Sequence, residues 1–161
     1  LTRRRRACSN PTTGTSYDRQ LRHHPHHCRL ARAGLGCTRP ECFSLWFGTE
    51  AVEVPLEHLT FDVRVGGVLK AKLILPDGNT IDWLGECTEV DPPARLCFTL
   101  TDVPGEDPGD PIVTVLTEVE GGTLVELTQP RGDFSDEQVA ATVEGYNGFF
   151  DALENVVASM R

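Results

Sequence analysis

Four histidines and a cysteine crowd into HHPHHC, from His23 to Cys28. Imidazole nitrogen and thiolate sulfur are the usual ligands of zinc, but they must sit at fixed geometry, such as His at i and i+4 on one helix face. Pro25 stands in the middle of the stretch and opposes that helix. Adventitious nickel or zinc binding is the most the pattern supports, so neither a metal nor another cofactor is expected.

Other reactive side chains are thin on the ground. His58 with Arg64 has the chemistry to polarise a carbonyl, yet a loop His and a surface Arg is the plainer reading. Asp82 and Glu86 share a strand face and can act as a carboxylate pair. They also share parity with Lys70 and Lys72 on the preceding strand, which favours a solvated, salt-bridging face. Cys87 lies on an inward face and Cys97 on the opposite parity, and a buried structural thiol is the default for the first. Arg3 to Arg6 form a run without interleaved aromatics, more typical of solvated charge than of a nucleic-acid site. The triplet Arg131-Gly132-Asp133 falls between a strand and a helix cap, where a cell-adhesion role is chance. No G-x-S-x-G or Cys-His spacing is present, and no enzyme activity is expected.

Six inward residues are different: Trp83, Phe98, Tyr146, Phe150, Phe61 and Leu73. They either pack as ordinary core or line an apolar cavity, the usual setting of a small-molecule site. Their placement depends on the elements that carry them. FDVRV (Phe61 to Val65) alternates and then meets Gly66-Gly67, which fits a bend or bulge. VLKAKLIL (Val68 to Leu75) turns at PDGN into TIDWLGECTEV, with Ile81, Trp83, Gly85 and Cys87 on one face. DPPA leads into RLCFTLT, with Leu96, Phe98 and Leu100 inward. IVTVLTEV and TLVELTQ are joined by Gly121-Gly122. Short turns between successive strands predict an antiparallel meander.

The period then changes. Ser135 and Gln138 form a capping box. Val139, Val143, Tyr146, Phe150, Leu153, Val157 and Met160 follow as one apolar stripe on a long helix. Gly145 and Gly148 weaken that helix and are expected to allow close approach or to line a space beside it. The layout is α+β: a curved sheet packed on one C-terminal helix.

The 161 residues suffice for one domain with a core. Charge divides the chain sharply. Residues 1–40 hold nine Arg and one acid, about +8, whereas residues 41–161 stand near −17. An acidic body repels phosphates and argues against nucleic acid as a partner. No apolar stretch is long enough for a membrane span, and the six Cys form no CxxC pair. A cytoplasmic setting with reduced thiols is expected.

LWFGTE (Leu45 to Glu50), VRVGG, PDGN, GECTEVDPPARLCFTL, VTVLTEVEGGTLVELTQ and GYNGFFDAL occur in that order. Together they make the chain resemble the START-like, or SRPBCC, superfamily. The most similar branch is that of the C-terminal domain of the activator of heat-shock protein 90 ATPase. The resemblance runs from about Thr38 to Met160. It implies a helix-grip fold: a strand, two short helices, six more strands and a long C-terminal helix. It further implies a cavity between sheet and helix for a small apolar ligand, or a chaperone partner in stress response. A cavity enzyme of the polyketide cyclase or dehydratase kind is the remaining alternative. Members often carry His near Gln129 and Trp at Tyr146, two departures here.

A larger departure is the N-terminus, where a basic arm stands in place of the first strand and helix. Read one base later, any His codon followed by His, Pro or Cys becomes Ile or Thr. HHPHHC then encodes a β-branched run, the composition of a strand. RAGLGCT shifted the same way permits Glu-Arg-Val-Trp-Ala-Ala-Leu, which resembles the family's first helix. We therefore read residues 1–37 as a disordered, frame-shifted arm and residues 38–161 as the helix-grip domain. Losing a few inward side chains forfeits roughly 5–9 kcal/mol of burial. Domain stability is only about 5–15 kcal/mol, so a marginal chain with an open sheet edge is expected.

Overall fold

The computed structural model describes residues 20–22, 26–28, 38–49, 51–120 and 122–159. In chain order its elements are β1 (Gln20–Arg22), β2 (His26–Cys28), α1 (Pro40–Phe47), a 3-10 turn (Leu56–His58), β3 (Thr60–Phe61), β4 (Val68–Ile74), β5 (Thr80–Asp91), β6 (Arg95–Phe98), β7 (Ile112–Val119), β8 (Gly122–Pro130) and α2 (Asp136–Ser159). Every strand pairing is antiparallel, and the sheet order is β1-β8-β7-β6-β5-β4-β3 with β2 also on β8. From α1 onward this is the helix-grip α+β layout, with α2 laid against the meander β3 to β8.

The turns form for the reasons their residues suggest. In PDGN, Asp77 accepts the Asn79 backbone N–H (2.9 Å) and the Asn79 side-chain amide (2.7 Å), which hold its carboxyl below the usual range. At Gly66-Gly67 the Gly66 N–H donates to the Cys87 carbonyl and the Cys87 N–H to that of Gly67. A Cβ on Gly67 would meet the Asp62 carbonyl oxygen at 1.9 Å, so only glycine fits there. The capping box is formed in both directions: the Ser135 N–H donates to Gln138 Oε1 (2.9 Å), and the Gln138 N–H to Ser135 Oγ (3.2 Å).

Two expectations are corrected. Of FDVRV only Phe61 is strand, in the short β3 with Thr60, because Arg64 and Gly67 N–H groups donate back to Asp62 and Arg64 carbonyls and curl the chain early. Val65 is accordingly exposed. Of the two roles expected of Gly145 and Gly148, the open space is the one found: among the described residues nothing lies within 4 Å of a Cβ built on Gly145, and Gly148 has only Thr49 Cγ2 at 3.8 Å. The edge of β8 is not wholly open, since Gln20–Arg22 and His26–Cys28 pair with it. Backbone hydrogen bonding needs no particular side chains, so even an Arg- and His-rich stretch can occupy that edge. The rest of the arm, with its expected disorder and its first helix, lies outside the described residues.

β5 is the bent spine of the sheet. A bulge between Cys87 and Glu89 shifts its register against β6, so that Val90 pairs with Leu96 and packs on the core. Simple alternation from Cys87 would have pointed Glu89 inward instead. Beyond β6 the chain continues alongside β5 in the same antiparallel register: the Thr99 N–H donates to the Glu86 carbonyl, and Leu84 and Thr101 exchange backbone bonds of 2.8 Å. A Cβ on Gly85 would lie 2.0 Å from the Thr99 oxygen, so this pairing requires glycine.

Candidate functional site

The inner face of β6 to β8 is a carpet of alternate side chains. Register places Leu96 beside Thr114 and Thr114 beside Leu127, with Leu116 beside Val125. These residues and Phe98 form one wall of a cavity of about 80 Å³. The opposite wall is Tyr146, Phe149, Phe150 and Leu153 of α2, one to two turns of its apolar side. Phe43, Trp46 and Phe47 of α1 close one end together with Thr38 and Phe61.

α1 is built for that position. Pro40 occupies its first turn, where a missing N–H costs nothing. Phe43, Trp46 and Phe47 fall at i, i+3 and i+4, hence on one side, while Leu45 is exposed. Phe43 stacks on Phe47 with ring centres 4.5 Å apart, and Phe47 stacks on Phe149 at 4.8 Å. Phe43 meets Phe61 edge-on at 4.8 Å. The helix pair is thus joined by a continuous aromatic contact running from β3 to α2.

The cavity's polar lining is sparse: Thr38, Thr114 and Tyr146 among the described residues. The Tyr146 hydroxyl donates to Gln129 Oε1 at 2.6 Å. Burial pushes its phenol well above the ordinary value, which keeps the group neutral and a hydrogen-bond donor. Such a site can hold an apolar molecule and orient one polar atom. Among the described residues its lining holds no Ser, Cys, Lys or His.

Of the six residues singled out from the sequence, Phe61, Phe98, Tyr146 and Phe150 line this cavity. Leu73 is buried but lies in the neighbouring core with Ala71 and Phe61, away from the cavity. Trp83, opposite Ala71 on β4, is half-buried and lines an outer groove with Leu100. It also packs against the core cluster that holds Leu73. Phe43, Trp46, Phe47 and Phe149 were missed as cavity residues. The F-x-x-W-F spacing was a helical signal for three of them.

The remaining chemical candidates stay apart from the cavity. His58 is exposed on the 3-10 turn, and Arg64 Nε pairs with Asp62 Oδ2 at 2.6 Å on the surface. Lys72 Nζ meets Asp82 Oδ1 at 2.6 Å, the salt-bridging face the strand parity suggests. Cys87 and Cys97 are both fully buried. Burial, reinforced by the Asp62 carboxylate, pushes the Cys87 thiol up to about 11. Cys97 Sγ lies 3.5 Å from Glu89 Oε2, and Glu89 pairs with Arg95 Nε at 3.1 Å. Arg131 of the RGD triplet bonds Asp136 and the Phe134 carbonyl, fastening the turn to the start of α2. Among the described residues no group of three or more His, Cys, Asp or Glu can hold a metal, and no helix is long and apolar enough to cross a membrane. HHPHHC lies partly outside those residues.

The family described as Activator of Hsp90 ATPase homolog 1-like protein matches residues 37–158. The chain belongs to this family. The match covers the START-like domain as read from the sequence and bears out that resemblance. Solved structures agree with the AHSA1-like fold. Protein NE0264 from Nitrosomonas europaea superposes with a TM-score of 0.75 at 19% identity, covering 91% of this chain and 98% of its own. Protein CV1439 from Chromobacterium violaceum gives 0.71 at 19%, covering 86% and 96%. An AHSA1-like protein from Aeromonas hydrophila gives 0.70 at 20%, covering 88% and 93%. At these identities the likeness concerns the AHSA1-like fold alone. No curated protein matches the chain.

Proposed function

We propose that this AHSA1-like chain is a binding domain rather than an enzyme, and that it takes a small apolar ligand between sheet and helices. The observation that carries this reading is the aromatic and aliphatic cavity, where Tyr146 is the one titratable lining group among the described residues. Its volume of about 80 Å³ is small. Roughly 150 Å³ is enough to hold benzene in an engineered apolar cavity. A ligand larger than a few heavy atoms therefore requires the aromatic side chains of α1, or Tyr146, to move. The buried, neutral phenol and the exposed His58 support binding over acid–base catalysis. Among the described residues, the three buried cysteines Cys42, Cys87 and Cys97 form no disulfide with one another, which suits a cytoplasmic setting.

Trp46 lines the cavity and reports on it. Titration with small alkanes, alcohols and aromatics is expected to change its fluorescence saturably and to raise Tm. A flat response of both across such a set would overturn the reading. The family description favours one further reading, stimulation of a heat-shock chaperone ATPase. Adding the chain to Hsp90 at increasing ratio tests it, and an unchanged ATPase rate would remove it.

A further inference from the structure

Outside the cavity, by the N-terminal end of α2, an open groove of about 1140 Å³ lies between the 101–110 loop and the 129–134 turn. Trp83, Leu100 and Phe134 give it an apolar side. Among the described residues, the charged side chains that line it are Asp102, Glu106, Asp110, Asp133 and Arg131. The Arg131 guanidinium is engaged with Asp136 and with the Phe134 carbonyl, so the net field in the groove is negative.

Groove and cavity share a wall. Gln129 lines the groove, Tyr146 lines the cavity, and the two are joined by the 2.6 Å hydrogen bond. Leu100, in the groove, also packs in the cluster that holds Tyr146 and Phe150. The cavity alone, about 80 Å³, is small, whereas the groove beside it, about 1140 Å³, is ample for a chain of many atoms.

We infer that the ligand is a cationic amphiphile, with its hydrocarbon end in the cavity, its amine in the groove, and the Tyr146–Gln129 pair as the gate between them. This rests on the apolar-ligand reading above and adds the head group. Each part has its chemistry. The aromatic walls take the chain by burying apolar surface. Trp is the best aromatic partner of a cation. Carboxylates around the groove attract an ammonium and repel a carboxylate head. Opening the gate costs the Tyr146 bond to Gln129, and a head group with an N–H can replace the lost donor at Gln129 Oε1.

The test uses the full chain with decylamine, decan-1-ol and decanoate at monomeric concentrations, near neutral pH and low salt, read by Trp fluorescence and calorimetry. Decylamine is expected to bind about tenfold tighter than decanol, with decanoate weakest, and added salt should narrow the gap. Asp102→Asn combined with Glu106→Gln should bring decylamine toward decanol. Gln129→Leu should speed association of the amine. Equal affinities for all three, insensitive to salt, would overturn the head-group assignment while leaving an apolar site in place. An unchanged association rate in Gln129→Leu would overturn the gate. Binding of none of the three would overturn the apolar-ligand reading itself.

Discussion

The Tyr146 hydroxyl donates to Gln129 Oε1 at 2.6 Å, tying the middle of α2 to the end of β8. The two residues are partners in one bond, so a change at either one is felt at the other. Tyr146→Phe leaves a half-buried amide oxygen short of a donor and should cost about 1–2 kcal/mol. Urea unfolding measures it. In the Tyr146→Phe background, Gln129→Leu should cost less than it does alone, and full additivity would show that the bond contributes nothing.

Phe47 carries the stack between α1 and α2. Phe47→Ala removes a ring that is 5% exposed and packed on both Phe43 and Phe149. The expected loss is about 3–5 kcal/mol, a large share of a domain's total. The same change enlarges the cavity, so benzene should raise the Tm of the variant more than that of the parent. Equal shifts would place the new space elsewhere.

The capping box at Ser135 predicts a local effect. Ser135→Ala should cost about 1 kcal/mol. Amides of the first turn of α2 should exchange faster, while those around Phe150 and Leu153 keep their protection. Uniformly faster exchange along α2 would contradict a local cap.

Alkaline pH should destabilise the fold. The folded Cys87 thiol titrates at about 11 against an ordinary 9.0, with burial as the main cause and Asp62 adding to it. A raised pKa means that the unfolded chain gives up its proton first. The contribution is therefore complete below about pH 9 and is lost as pH rises toward 11. Burial of Tyr146 acts in the same direction from its ordinary 10.0 upward. The urea midpoint should fall between pH 9 and 11, and Cys87→Ala should flatten the lower part of that fall. A midpoint that rises with pH would reverse the assignment.

Much of the architecture was legible because its signals are local. The Ser135-to-Gln138 box, the PDGN turn and the strands from Val68 to Gln129 each rest on side chains a few residues apart. Their periods of two and 3.6 are set by backbone geometry alone. FDVRV failed because its alternation does not reveal that the Arg64 and Gly67 N–H groups bond back within the segment and curl the chain after Phe61. Trp83 was misplaced as a cavity residue because strand parity gives a face but not what covers it. Trp83 packs with the core beside β4 and opens onto the groove, and no local pattern announces which inward residues of a long strand face the cavity.

By itself the sequence determined the order of the elements, the inward faces, the charge division between arm and body, and the likeness that the family match bears out. Those follow from residue type and spacing along the chain. Tertiary structure alone decided that α1 supplies three aromatics to the cavity and that Trp83 lies in an outer groove. It also decided that Tyr146 meets Gln129 and that β1 and β2 lie on β8. Each is a contact between segments distant in sequence, selected by how the whole chain fills space and satisfies its backbone.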